Sequence, residues 1–544
     1  MTPDLQQLCL RCWVDYPNRP RKKKGRSRKR RPPIDKVLIL DGETTADEIQ
    51  RFLFGSARYG RLYRHDGVVT VVLLKEWLIH ADDLAERDPP GYEILVRYAE
   101  ERGIELLSRH QLAERVLWLG GFIGGVTVVG FNLPFDLSRL ALHVGDTRPE
   151  DDNSVVKGGL SFALWGRPHP TKNKWQEHFW RPRLLIKKFG PGRAFIQWGR
   201  PKTRDKGVNN TKGSFLDCHT LDAALSGVRR SLKRACKAWG LPKKFSKGHT
   251  ERHGVITDEY IAYNRQDVTA TAHLCAALLT ELERHPDIDL QPTQTFSPAS
   301  LSKAYLRAIN IGSLLDRWPN TPEHQEILHA SMHAYMGGLT EVQLRRSLTP
   351  VVPVDFLSMY PTVMELLGIW DYLTAERIDI IDCTEELRTL LAQIATEGPE
   401  VLQDPAIWRH MVGYARLIPD EDLLPARAPW GQDRLQLGIH PLTVSGTEIP
   451  WAIPDVLAAA VRGRVAPRVV RATRMVPVGK RNDLRSVRFR GELEFDPNTQ
   501  SLYRTIIELR KEVAKRPGLD PADEATDFYP TQSRGNRQRR RPPP

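Results

Sequence analysis

Lys36–Thr45 reads KVLILDGETT, an apolar run that ends in a turn carrying Asp41 and Glu43. The run predicts a buried strand, and side chains two apart on a strand leave from the same face, so these carboxylates can converge on one cation. An apolar strand does not itself need two acids at its end, although such pairs also occur in solvated turns. Further strands are expected in GVVTVVLL from Gly67 and GGVTVVGFN from Gly124, with broken helical patches between them from Pro89 to Leu119. A long amphipathic helix is expected from Asp258 to His285. Strands interleaved with helices define an α/β class.

Two more places along this pattern carry acids. In TVVGFNLPFDLSRLAL, from Thr127, Asn132 and then Asp136 follow a strand-like run at the start of a helix. In YNRQDVTAT, from Tyr263, a phenol and Asp267 stand four apart on the long helix and therefore share a face.

The chain has 544 residues, enough for two or three domains, and 40% of them are apolar. Lys and Arg number 80 against 66 acids, a formal charge of +14, which favours a polyanionic partner and above all nucleic acid. No run of eighteen or more apolar residues appears, and no signal peptide is apparent, so a cytoplasmic protein without a membrane partner is expected. Six scattered cysteines do not read as a disulfide framework. Cys9 and Cys12 form a lone CxxC, either reduced thiols in a mobile arm or half of a zinc site.

Residues 1–35 contain RPRKKKGRSRKRRPP, too basic to bury a core and expected to be disordered, as is the basic tail 517–544. PDIDLQPTQTFSPAS, from Pro286, is a connector that divides residues 36–288 from 289–516. Between Trp165 and Trp198 four tryptophans alternate with basic and turn residues; this suggests a hairpin whose rings either stack on DNA or enter the core. Asp217 and Asp222 could be mistaken for metal ligands, and Asp217 is read as structural.

The order DxE, then Asn-x-x-x-Asp, then YxxxD, each in its strand or helix setting, resembles the 3′–5′ exonucleases with an RNase H-like fold carried by family B DNA polymerases. The resemblance covers roughly residues 36–285. It implies that Asp41 bridges two Mg²⁺ or Mn²⁺ ions, that Glu43 and Asp267 complete one, and that Asp136 holds the other. Two such ions about 4 Å apart activate water and neutralise the phosphoryl group in phosphodiester hydrolysis. Tyr263 would orient the attacking water, and Asn132 would touch the entering single strand.

The second region extends the resemblance. PVVPVDFLSMYPTVMELLGIW, from Pro350, contains VDFLSMYP, similar to the first palm motif of the same polymerases with Met359 in place of a leucine. AYMGGLTE, upstream, resembles their Tyr-x-Gly-Gly element through Tyr335, Gly337 and Gly338, which implies contact with template DNA. By resemblance Asp355 would be a polymerase metal ligand and Tyr360 would pack under the deoxyribose of a deoxynucleoside triphosphate. Arg510, Lys511 and Lys515, in a helix expected at SLYRTIIELRKEVAK, would face the triphosphate. Neither the family's Asn-Ser-x-Tyr-Gly motif nor its Asp-Thr-Asp motif occurs in these 544 residues. Asp287 with Asp289, and Asp420 with Asp422, have the right spacing but are expected in exposed turns. The resemblance therefore implies a family B DNA polymerase homologue: an RNase H-like exonuclease domain followed by a partial palm and the start of the fingers, apparently truncated. The alternatives are a stand-alone 3′–5′ exonuclease, or a noncatalytic DNA-binding or split-polymerase subunit working with a second polypeptide.

Overall fold

The computed structural model describes residues 33–514, apart from 148–155, 169–174, 179–180, 191, 200–212, 246–252, 315–316, 320, 340–343, 345, 353, 355, 357 and 431–433. Both basic ends, with Cys9, Cys12 and Lys515, lie outside the described residues, and so do Trp180 and Asp355.

Among the described residues, the first region holds twelve strands: β1 (Lys36–Thr44), β2 (Phe52–His65), β3 (Val68–His80), β4 (Glu105–Ser108), β5 (Thr127–Gly130), β6 (His143–Asp146), β7 (Leu160–Ala163), β8 (Gly166–Pro168), β9 (Trp175–Glu177), β10 (Leu184–Gly190), β11 (Arg193–Trp198) and β12 (Ser214–Asp217). Six of them form a mixed sheet in the order β12-β5-β1-β2-β3-β4. β1, β2 and β3 run antiparallel in turn, and β5 is parallel to both β1 and β12. The β2–β3 hairpin turns on Asp66 and Gly67, with φ of 49° and 75°. Two successive left-handed residues make the tight turn whose twist suits a hairpin, and Asp-Gly is a preferred pair for it.

Period-two alternation on β1 sets the layers. Leu38 and Leu40 enter a core with Phe54, Leu78, Leu95 and Leu117. Val37 and Ile39 point to the other face and pack with Val268, Leu274, Cys275 and Leu278 of the helix Asp258–Glu283. Ile39 is fully buried, and each such side chain contributes about 1.5–3 kcal/mol. Asp41 and Glu43 continue the odd-numbered series, so the helix that covers Val37 and Ile39 also approaches both acids.

That helix begins at a Thr257 N-cap, whose side chain accepts from the Tyr260 N–H. It is fastened to the sheet by a half-buried ion network. Arg265 donates to both Glu76 oxygens, at 2.6 and 2.9 Å, and Arg58 of β2 donates to the same carboxylate at 2.8 Å. The forked geometry fixes rotation and register as well as adding attraction.

A second sheet, β11-β10-β7-β6, contains the hairpin expected between Trp165 and Trp198. Trp165 and Trp198 are buried, with ring centroids 5.6 Å apart. Of the two uses open to these rings, the core is the one the structure shows for this pair.

The second region contains β13 (Arg377–Asp382), β14 (Gly413–Leu417), β15 (Asp420–Trp430), β16 (Arg434–Thr443), β17 (Ile449–Ala452), β18 (Val469–Val478), β19 (Val487–Phe489) and β20 (Leu493–Phe495). A four-stranded antiparallel sheet, β13-β18-β14-β17, shares a core with the helices Thr384–Glu397 and Ile453–Gly463 through Leu387, Leu391, Val456 and Leu457. The long helix of the first region meets the β19–β20 hairpin at its C-terminal end. Arg490 pairs with Glu281 at 2.7 Å, and the Arg490 N–H donates to the Tyr305 hydroxyl at 2.9 Å.

Candidate active site

β1 and β2 deliver the first acids. Asp41 lies opposite Ser56, and Gly42 opposite Gly55, in the β1–β2 ladder. A Cβ on Gly55 would stand 2.5 Å from the Asp41 carbonyl oxygen, so only glycine permits this approach of the two strands.

Asp136 arrives from the helix Leu133–Arg139, which follows β5 through Asn132. Asn132 is exposed and has φ 68°, a left-handed conformation that asparagine tolerates better than most residues. Asp217 secures this turn from the end of β12. One of its oxygens accepts from the Leu133 N–H at 2.9 Å; the other accepts from the Thr220 N–H and hydroxyl at 3.0 and 2.6 Å. Asp217 is thus structural, as its place in the sequence suggested. Asp222 is structural too, fully buried and bound to Arg230 and Trp239 at 3.0 and 2.7 Å.

Asp136 is buried, and its carboxylate accepts from the Gly42 N–H at 3.3 Å, between the two acids of β1. Burial pushes its pKa well above the usual carboxylate range, and the negative charges of Glu43 and Asp217 push it further, against the Gly42 hydrogen bond.

The long helix supplies the remainder. Asp267 and Tyr263 are buried on it, and the Tyr263 ring meets His253 edge-on at 5.6 Å. Asn264 of this helix bridges the two acids of β1. It donates to Asp41 at 2.8 Å and to Glu43 at 3.3 Å. Its own side-chain oxygen accepts from the Ser56 hydroxyl at 2.6 Å. Tyr260, one turn earlier, donates its hydroxyl to the other oxygen of Glu43 at 2.6 Å. Burial, and then the adjacent Glu43 charge, raise the Tyr260 phenol above its ordinary value. Sequence reasoning missed Tyr260 and Asn264; their spacing from Asp267, seven and three residues, places all three along one side of the helix.

Asp41, Glu43 and Asp136 therefore meet around Gly42, and the helix that carries Tyr263 and Asp267 is joined to them through Asn264. The donors are hard oxygens, and an acid raised first by burial and then by its anionic neighbours is a group that a divalent cation would relieve, so the chemistry of the donor set fits Mg²⁺ or Mn²⁺. Among the described residues, no group of three or more His, Cys, Asp or Glu side chains is placed so that it could hold a metal ion.

The second set of expected residues is arranged differently. Tyr335 is 60% exposed at the end of the helix Pro322–Ala334, and its carbonyl and that of Met336 accept from Arg427 of β15. Gly337, at φ 89°, and Gly338 follow in irregular backbone. Val351, Val352, Val354 and Phe356 are 78–91% exposed, and Tyr360 is 58% exposed on the helix Met359–Leu366. Arg510, on the helix Leu502–Ala514, donates to the Ser358 hydroxyl at 3.0 Å, beside the motif, while Lys511 is exposed on that helix. Asp287 accepts from the Arg488 N–H at 2.6 Å. Asp420 and Asp422 flank a β-bulge at the start of β15; Asp420 is exposed and Asp422 half-buried. Their setting is a strand bulge in place of the expected turn.

No protein-family model matches this chain, and no curated protein matches it in sequence.

Proposed function

We propose that residues 36–288 form an RNase H-like domain that removes nucleotides from the 3′ end of single-stranded DNA, within a homologue of the family B DNA polymerases. The observation that carries this reading is the meeting of Asp41, Glu43 and Asp136 around Gly42, beneath the helix that bears Tyr263 and Asp267. The sheet order supports it: three antiparallel strands, with β5 and β12 added parallel beside β1, place the acids at the end of the central strand.

Asp41, Glu43, Asp136 and Asp267 would hold two Mg²⁺ or Mn²⁺ ions, which supply an acidified water and neutralise the phosphoryl charge. Asn264 and Tyr260 keep Asp41 and Glu43 aimed inward, Tyr263 orients the attacking water, and exposed Asn132 meets the entering strand. The net positive charge gathers the polyanion.

In the wider reading Asp355 and Tyr360 serve nucleotidyl transfer with deoxynucleoside triphosphates. The exposure of Val351, Val352, Val354 and Phe356 favours a form in which a second polypeptide covers this run and completes that site.

The test is release of nucleotides from 3′-labelled single-stranded DNA by the full chain with Mg²⁺ or Mn²⁺. Asp41→Ala should lower the rate by about 10³-fold, near 4 kcal/mol of transition-state stabilisation. Equal rates for wild type and Asp41→Ala would sink the reading.

A further inference from the structure

We propose that Asn264 is a positioning residue: its amide holds Asp41 and Glu43 converged before a cation arrives, and Ser56 sets which way that amide faces. The inference rests on the metal-dependent reading above. Asp41 and Glu43 leave the same face of β1, so as anions they repel each other and would splay if left alone. Asn264 answers this with one NH₂ group, which has two protons and two acceptors, Asp41 at 2.8 Å and Glu43 at 3.3 Å.

The orientation of the amide follows from its surroundings. Asn264 and Ser56 are both completely buried, and the Ser56 hydroxyl donates to the amide oxygen at 2.6 Å. A flipped amide would set its fully buried oxygen against two carboxylates, leaving that oxygen without a donor at a cost of about 1–3 kcal/mol. Ser56 stands directly across the ladder from Asp41, so the register of β1 with β2 places the hydroxyl that locks the amide.

The choice of a neutral donor has a chemical consequence. A lysine or arginine here would also draw the two carboxylates together, but its charge would cancel theirs and compete with an incoming cation. The amide orients both anions and leaves their charge intact. Tyr260 does the same for the second oxygen of Glu43. Partners of this kind, behind the ligands, typically change metal affinity by about 10–100-fold when removed.

The experiment measures Mn²⁺ binding to the full chain by electron paramagnetic resonance, with nuclease-resistant single-stranded DNA binding in chelator followed in parallel. Asn264→Ala should weaken Mn²⁺ binding about 10–100-fold, while DNA binding without metal stays at the wild-type level, because a fully buried amide cannot touch DNA. Ser56→Ala, which keeps the amide but frees it to turn, should weaken Mn²⁺ binding in the same direction by a smaller factor, and it decides the matter if Asn264→Ala does not fold. Wild-type Mn²⁺ affinity in folded Asn264→Ala, or in Ser56→Ala should the first variant not fold, would overturn the positioning role and leave the metal-site reading standing. Wild-type Mn²⁺ binding that survives Asp41→Ala would overturn the metal-site reading, and the positioning role with it.

Discussion

Two stretches of this chain end an apolar run in an acid, and they are built in opposite ways. In KVLILDGE every apolar side chain from Val37 to Leu40 is buried, and a paired strand and a 26-residue helix supply partners for the acids that follow. In PVVPVDFLSMYP the described apolar residues Val351, Val352, Val354 and Phe356 face solvent, and the helix after them buries none of its eight residues. A sequence signature of the same kind thus corresponds to a buried strand with hydrogen-bonded acids in one place and, among the described residues, to an exposed apolar run in the other. The difference lies in the surroundings: long-range ladder and helix contacts fix rotamers and carboxylate orientation, which the motif alone cannot do.

The largest effect expected from this contrast is in templated synthesis. Nucleotidyl transfer by two ions needs carboxylates on both sides of the ion pair, and among the described residues the helix that carries Tyr360 packs chiefly against the helices Leu502–Ala514 and Ile369–Thr374. The purified 544-residue chain carrying Asp41→Ala, chosen to remove the proposed competing degradation, should give little or no primer extension in a gel assay. Robust extension would erase the contrast between the two regions.

A smaller effect separates the two tyrosines of the first site. Tyr260→Phe deletes a buried hydrogen bond to a carboxylate, a change of about 1.5–3 kcal/mol, so it should loosen Glu43 and weaken Mn²⁺ binding roughly tenfold or more. Tyr263→Phe should retain Mn²⁺ binding and lower the cleavage rate. Binding isotherms and single-turnover rates distinguish them; the reverse pattern would assign the water-orienting role to Tyr260.

The smallest effect is on stability. Burial first, and then the Glu43 and Asp217 charges, raise the Asp136 carboxyl well above its ordinary value, so the fold favours its protonated form. For such a group, metal-free stability is full below the unfolded carboxylate range, near pH 4, and is lost as pH rises through the raised folded value. Asp136→Asn should therefore melt a few degrees above wild type in chelator at pH 8, and close to it at pH 4. An equal difference at both values would remove the electrostatic origin of the effect.

Much of the first region was legible in the sequence because its elements bury continuous or periodic apolar faces. β1, β3, β5 and the long helix lie where their patterns predict them. β2 escaped notice because Arg58, Arg61 and Arg64 interrupt its apolar character. Two of those arginines find partners far along the chain: Arg58 donates to Glu76 and Thr269, and Arg64 to Glu283. The Asp66-Gly67 pair was the available signal for that hairpin. The acids stand out in the sequence by their spacing, whereas the bonds of Asn264 and Tyr260 to them depend also on the β1–β2 register and on where the helix crosses it. Trp165 and Trp198 could not be settled from sequence: their basic neighbours allowed a nucleic-acid surface and their strand setting allowed the core, and the rings lie in the core.

The central claim is that four carboxylates from three separate parts of the chain form one two-ion site. Anomalous diffraction from crystals of the full chain soaked in Mn²⁺ tests it most directly. The account predicts two peaks about 4 Å apart, bounded by Asp41, Glu43, Asp136 and Asp267, that vanish in Asp41→Ala. A well-ordered site with no anomalous density among these four residues, or density that persists unchanged in Asp41→Ala, would contradict it.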